Sequence, residues 1–200
     1  MPNTQPLPPV ALIVNHTVAD FDIWKTAFDA EEDNRRSASV VGHHINRSED
    51  DPNDLGVYLA ATDIESLRAF AASEELRAAM AGAGVTSAPE MAWVTPVREA
   101  IVWDRELPAF IITHTVADFD SWLSGYDDAD ELRTSKGIIG HAANRSMDDP
   151  SLIVVYHQAE SFDTLRAFLA DPGLKAAMEA AGVTSEPAVS WYIGGSGKQY

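Results

Sequence analysis

The segment His16-Thr-Val-Ala-Asp-Phe-Asp22 returns 98 positions later as His114-Thr-Val-Ala-Asp-Phe-Asp120, and the later landmarks keep that offset without a gap. Gly42-His43 matches Gly140-His141, and Asn46-Arg47-Ser48 matches Asn144-Arg145-Ser146. Leu67-Arg-Ala-Phe70 matches Leu165-Arg-Ala-Phe168, and Trp93 matches Trp191. About 40 identities fall in roughly 85 aligned positions, and a period of this length is the size of a small domain, not of a solenoid unit. The chain therefore reads as two copies of one module, residues 10–97 and 108–193, joined by a linker at 98–107. A disordered segment is expected at 1–9 and a flexible tail at 194–200, where Gly194-Gly-Ser-Gly197 lies.

Within each copy the order of elements follows from periodicity and turn chemistry. Ala11 to Val18 is a short β-branched apolar run, and Asp20 then offers an N-cap for a helix that places Phe21, Trp24 and Phe28 on one side. Val40 to Ser48 and Leu55 to Ala61 read as strands around the turn residues of Glu49-Asp-Asp-Pro-Asn-Asp54. Ile64, Leu67, Phe70, Leu76 and Met80 form a helical stripe that is interrupted where the second copy has Asp171-Pro172-Gly173, an N-cap followed by proline at the first helical position. Gly84 and Gly182 stand where a helix ends, and Met91 to Val97 and Val189 to Ile193 close each unit as a strand. The order βαββαβ is α+β and ferredoxin-like. Apolar side chains fall on both faces of the strands, so the sheet face without helices needs a cover. The sheet of the other copy supplies one. Two modules packed sheet to sheet then make an intramolecular dimeric α/β barrel enclosing a cavity.

Composition narrows the partners. With 31 Asp and Glu against 14 Lys and Arg, the net charge of −17 repels phosphate backbones, so nucleic acid is not expected. There is no cysteine, which excludes disulfides, thiolate metal sites and a cysteine nucleophile. No long apolar run and no basic leader occurs, which predicts no membrane span, no signal peptide and a cytoplasmic protein.

His16 and His114 end the first strands, where a neutral imidazole suits proton abstraction or, equally, holds the strand-to-helix turn. His43 and His141 lie in the second strands with Arg47 and Arg145 on the same face by parity; His44, Asn46 and Asn144 take the opposite face. Sequence does not say which of those faces lines the cavity. The copies differ where His44 aligns with Ala142 and Leu59 with His157, which one copy keeping an active site while the other serves as scaffold would explain, as would drift at exposed positions. Trp24 and Trp122 read as core, and Asp50-Asp51 and Asp148-Asp149 as turn residues. No His-x-x-x-His or His-Glu-x-x-His spacing occurs, and neither a metal nor an organic cofactor is expected.

The elements His-Thr-Val-Ala-Asp-Phe-Asp-x-Trp, Asn-Arg-Ser-x-Asp-Asp-Pro, Leu-Arg-Ala-Phe and Ala-Gly-Val-Thr resemble the dimeric α/β barrel superfamily, in particular the antibiotic biosynthesis monooxygenase-like and stress-responsive barrel proteins. The resemblance covers nearly all of each repeat. It implies a small-molecule enzyme of the cofactor-free monooxygenase or cyclase type, acting on an aromatic or polyketide-like substrate in the barrel cavity. In that reading His16, His114, His43 and His141 are the catalytic candidates, and Asn46, Arg47, Asn144, Arg145, Tyr58 and Tyr156 bind substrate. The same resemblance is compatible with a non-catalytic barrel that sequesters a small molecule, and thirdly with heme binding or degradation. Most such proteins are homodimers of single modules. Here one chain supplies a self-contained pseudo-dimer, which leaves a further homodimer open.

Overall fold

The computed structural model describes residues 6–200, so the first five residues of the expected disordered segment lie outside the described part. The first repeat contains β1 (Val10–Thr17), α1 (Phe21–Ala30), α2 (Glu32–Ser37), β2 (Val40–Ser48), β3 (Asp54–Ala61), α3 (Ile64–Ala71), α4 (Glu74–Gly82) and β4 (Glu90–Ala100). The second repeats the series as β5 (Ala109–Thr115), α5 (Phe119–Asp128), α6 (Asp130–Ser135), β6 (Ile138–Ser146), β7 (Leu152–Ala159), α7 (Phe162–Leu169), α8 (Pro172–Ala180) and β8 (Ala188–Gln199). The caps sit where the sequence places them. Asp20 accepts from Ile23 N at 3.0 Å, Asp171 caps α8 with Pro172 in its first turn, and Gly84 and Gly182 take left-handed φ values of +78° and +80° after the preceding helices.

The strands form one closed antiparallel barrel in the order β1-β3-β2-β8-β5-β7-β6-β4, with the helices outside. Closure depends on the last strand of each repeat serving two neighbours. The first half of β4 pairs with β1, from Ala11↔Val94 to Asn15↔Glu90, and its second half crosses to β6, from Val94↔Ser146 to Ala100↔His141. β8 pairs with β5 and then with β2 in the same way, from Ser48↔Tyr192 to Gly42↔Gln199. Each crossing is marked by a register shift, at Pro96/Arg98 in one partner set and at Arg47/Ser48 in the other.

Two boundary expectations change. Residues 194–199 are not a loose tail but the outer half of β8, where Gly195 and Gly197 are a packing requirement and Gly194 takes a φ of +146°. His44 on β2 stands opposite Gly197, whereas at the equivalent junction Ala142 stands opposite Glu99. A Cβ at position 197 would lie 2.5 Å from Trp103 Cε3 and 2.8 Å from His44 Cδ2, so only glycine fits. The difference between His44 and Ala142 is thus a buried, compensated exchange rather than drift at an exposed position. The linker likewise begins later than expected, because Arg98 to Ala100 belong to β4. Beyond them the chain is pinned by the buried Gln158, whose side chain accepts from Val102 N at 3.0 Å and donates to Val102 O at 3.3 Å.

Two apolar cores lie between the barrel and its helices. In the first, Leu12, Val14, Ile45, Val57 and Leu59 meet Trp24 and Leu67; in the second, Phe110, Ile112, Ile153 and Val155 meet Trp122, Leu165 and Phe168. The alternate strand residues face into the barrel.

Candidate functional site

Strand alternation decides where each candidate side chain goes. His16 follows Leu12 and Val14 onto the helix side of β1, and His114 does the same on β5. His43, paired with Leu59, also faces the helices, against Phe28 at 4.9 Å between ring centroids. All four catalytic candidates therefore lie outside the barrel lumen, in the helix layers. His43 and His141 are tied there by tyrosines: Tyr200 Oη lies 2.8 Å from His43 Nδ1, and Tyr126 Oη lies 2.7 Å from His141 Nδ1. His16 and His114 are different. Both are buried against a tryptophan, at 5.5 Å from Trp24 and 5.8 Å from Trp122, and neither ring nitrogen has a hydrogen-bond partner among the described residues. Burial lowers the pKa of each to about 4, so both are neutral near pH 7.

Arg47 and Arg145 share the helix side but are committed to the hairpins. Arg47 Nε donates to Pro52 O at 2.9 Å with its guanidinium 3.9 Å from the Phe21 ring centroid, and Arg145 donates to Pro150 O at 2.7 Å over Phe119. Asn46, Asn144, Tyr58 and Tyr156 point instead into the lumen. There Tyr58 Oη donates to Asn144 Oδ1 at 3.4 Å and Tyr156 Oη to Asn46 Oδ1 at 3.2 Å, one bond from each repeat to the other. Burial pushes both tyrosine hydroxyls up and holds the nearby Glu99 above the usual carboxylate range. His44 joins them between Trp103 and Tyr156, at 5.7 and 5.6 Å. These large side chains fill the barrel and leave a cavity of about 50 Å³. The four catalytic candidates, His16, His43, His114 and His141, are thus separated from the lumen amides by the sheet, and His44 is the histidine that shares the lumen with them among the described residues.

The roomier apolar space lies in the first helix layer, where a cavity of about 260 Å³ is walled by β1, β3 and the helices α1 to α4. His16, Trp24, Phe28, Arg35, Leu59 and Phe70 are on its wall. The equivalent cavity in the second repeat measures about 50 Å³. Two exchanges on the strand side add bulk in the second repeat: Leu12 becomes Phe110 and Leu59 becomes His157. Phe110 packs on His157 at 4.8 Å and on Trp191 at 5.4 Å, and His157 packs on Phe168 at 5.3 Å, so two added rings occupy the space that two leucines leave open. His16 also borders a wider polar groove of about 510 Å³ between the two repeats, where Asp54 and Glu90 lie.

Arg35 was not a sequence candidate. It comes from the short polar helix α2, is 2% exposed, and places its guanidinium 3.7 Å from the Phe28 ring centroid. Its Nε donates to Tyr200 Oη at 2.8 Å, which directs the tyrosine hydrogen to His43. A signal for it exists in the repeat itself. Across 31–40 against 129–138 the copies diverge, yet Arg35 returns as Arg133. Among the described residues no group of three histidine or carboxylate side chains is placed to hold a metal.

The sequence matches no family model and no curated protein. Solved structures do match. An anthrone oxidase-like protein superposes with a TM-score of 0.67 at 12% identity, covering 100% of this chain and 95% of that one. A ferredoxin-fold protein related to antibiotic biosynthesis monooxygenases from Listeria monocytogenes 4b F2365 gives 0.53 at 11%, covering 92% and 95%. A heme-degrading enzyme from Listeria monocytogenes gives 0.52 at 10%, covering 92% and 98%. Identities this low speak for architecture and not for chemistry. The tandem α+β modules, the closed eight-stranded barrel and these likenesses together give the chain a ferredoxin-like α/β barrel fold, both halves of which come from one polypeptide.

Proposed function

We propose that the protein is a small-molecule enzyme of the cofactor-free oxygenase or cyclase type, with its working pocket under the helices of the first repeat and not in the barrel lumen. The observation that carries this reading is the coincidence of an apolar cavity of about 260 Å³ with a buried, neutral imidazole whose nitrogens are unclaimed among the described residues. An aromatic or polyketide-like molecule matches such walls, since Trp24, Phe28 and Phe70 offer ring surfaces. His16 accepts a proton from a phenol or enol of that molecule, and the resulting anion and imidazolium stabilise each other where water is excluded. The electron-rich carbon then reacts with dioxygen or closes on a carbonyl of the same molecule. The likeness of fold to an anthrone oxidase-like protein supports this class.

The test is oxygen consumption with anthrone and related enolisable polycyclic ketones. His16→Gln is expected to lower the rate by about 10²- to 10⁴-fold, the range typical of a positioned base. His114→Gln is expected to leave it unchanged. Wild-type turnover persisting in His16→Gln would overturn the assignment. Because the pKa of His16 is lowered to about 4, the rate should hold from pH 7 to about 5 and fall as pH drops through about 4.

A second reading, a barrel that binds such a molecule without converting it, is favoured by the same low pKa. A base of pKa about 4 has little intrinsic drive to take a phenolic proton. Thermal stabilisation by an anthrone with no oxygen uptake selects it. A porphyrin is a poorer match to the pocket, where among the described residues Arg35 is the one Lys or Arg on the wall for two propionates. Hemin is expected to give no Soret shift.

A further inference from the structure

Arg35 and Arg133 occupy matched positions, are both almost wholly buried, and both donate Nη1 to the main-chain carbonyl seven residues earlier, of Phe28 and of Tyr126. They differ at Nη2. Arg133 Nη2 donates to Asp130 Oδ1 at 3.2 Å, inside its own helix. The residue matching Asp130 is Glu32, whose longer side chain turns outward to Lys198 and Arg36. Arg35 Nη2 is consequently buried with no acceptor among the described residues.

A buried guanidinium donor without an acceptor is unfavourable, and Asp130 supplies that acceptor for Nη2 in the second repeat, where Nε is the nitrogen left unpartnered among the described residues. Each arginine leaves one nitrogen unclaimed among the described residues, Nη2 in Arg35 and Nε in Arg133, and the repeat whose terminal Nη2 is the free one is also the repeat with space. Arg35 is on the wall of the larger cavity, while in the second repeat Phe110 and His157 fill the matching volume. Arg35 is also held in place: Nε is fixed by Tyr200, Nη1 by Phe28 O, and its plane lies over the Phe28 ring. A donor oriented in advance loses little freedom when it is used.

We propose that the first-repeat pocket takes one ligand per chain with an apolar, planar body and a single anionic oxygen group, and that Arg35 is the residue that selects that group. This deepens the functional reading above and rests on it. The anionic oxygen is a carboxylate or the oxygen of an enolate; either gives Arg35 Nη2 the acceptor that Asp130 gives Arg133 Nη2.

The experiment compares two isosteric probes on the full chain by titration calorimetry, 2-naphthoate and the neutral 2-naphthamide, alongside crystals pressurised with xenon to report the cavity itself. Naphthoate is expected to bind once per chain and about tenfold or more tighter than the amide. Arg35→Met should remove that preference. Because Arg35 also anchors Phe28 O and Tyr200, Glu32→Asp serves as the second variant: it leaves Arg35 intact, supplies the carboxylate that Asp130 supplies in the other repeat, and should erase the preference for the acid while xenon still enters. Equal affinity of the two probes in a chain whose first pocket holds xenon would overturn the inference and leave the pocket reading standing. Xenon absent from that pocket would overturn both, and two naphthoates per chain would overturn the one-pocket assignment.

Discussion

Six histidines are buried or half-buried in this chain, and burial has moved them in one direction. His16, His43, His44, His114 and His141 are lowered to about 4 and His157 is likewise held well below the ordinary value near 6.5, in each case chiefly by burial. For His43 and His141 the neighbouring Arg35 and Arg133 add to the effect of burial. Between about pH 6.5 and 4 the unfolded chain therefore binds more protons than the folded one. The stability these groups contribute is fully present above pH 6.5 and is lost as pH falls through that window, by at most about 1.4 kcal/mol per pH unit for each histidine. Melting temperature is expected to fall from pH 7 to pH 5 by scanning calorimetry, and His157→Leu, which installs the residue found at position 59, should flatten the slope. Relief of self-repulsion in so acidic a chain acts the other way, so a rising melting temperature would show that net charge dominates. At this scale strand parity was legible in the sequence: it put His43 with Arg47 and set Asn46 apart. Which face looked outward was not legible, because both faces of these strands are buried and hydrophobicity then carries no direction.

Among the elements, the first helices, the hairpin strands and the caps were readable because each has a local cause. Asp20→Ala or Asp118→Ala should each cost about 1 kcal/mol, measured by urea unfolding, since each carboxylate accepts a main-chain N–H at the start of its helix. The helix α2 was not readable. Glu32-Asp-Asn-Arg-Arg-Ser37 has no apolar periodicity, and Arg35 is buried there through its stacking on Phe28, a contact that only the fold creates. The outer half of β8 was misjudged for a related reason: Gly194-Gly-Ser-Gly197 carries a linker's composition, while the strand is set by what His44 and Trp103 leave room for. Gly197→Ala is expected to lose about 1–3 kcal/mol, the range for overpacking a filled interior. Unchanged stability in that variant would mean that the strand does not pack as described.

For the whole molecule, closure requires both repeats. The inward residues Tyr58, Tyr156, Asn46 and Asn144 bond across the lumen from one repeat to the other, so residues 1–107 alone would expose that face together with the free half of β4. That fragment is expected to dimerise or aggregate, and light scattering that reports a stable monomer would contradict the closed barrel. The internal repeat and the chemistry of its turns made this architecture legible. The inequality of the two pockets was visible only as unlike residues at matched positions, with nothing to say that Phe110 and His157 meet.

His44 opposite Gly197 at one seam and Ala142 opposite Glu99 at the other bear on how such a chain can change over generations. In an assembly of two identical subunits every mutation is made twice, and a histidine that needs a glycine across one seam would have to find it across both. Joining the halves in a single gene product removes that constraint. Each seam, and each pocket, becomes free to diverge separately.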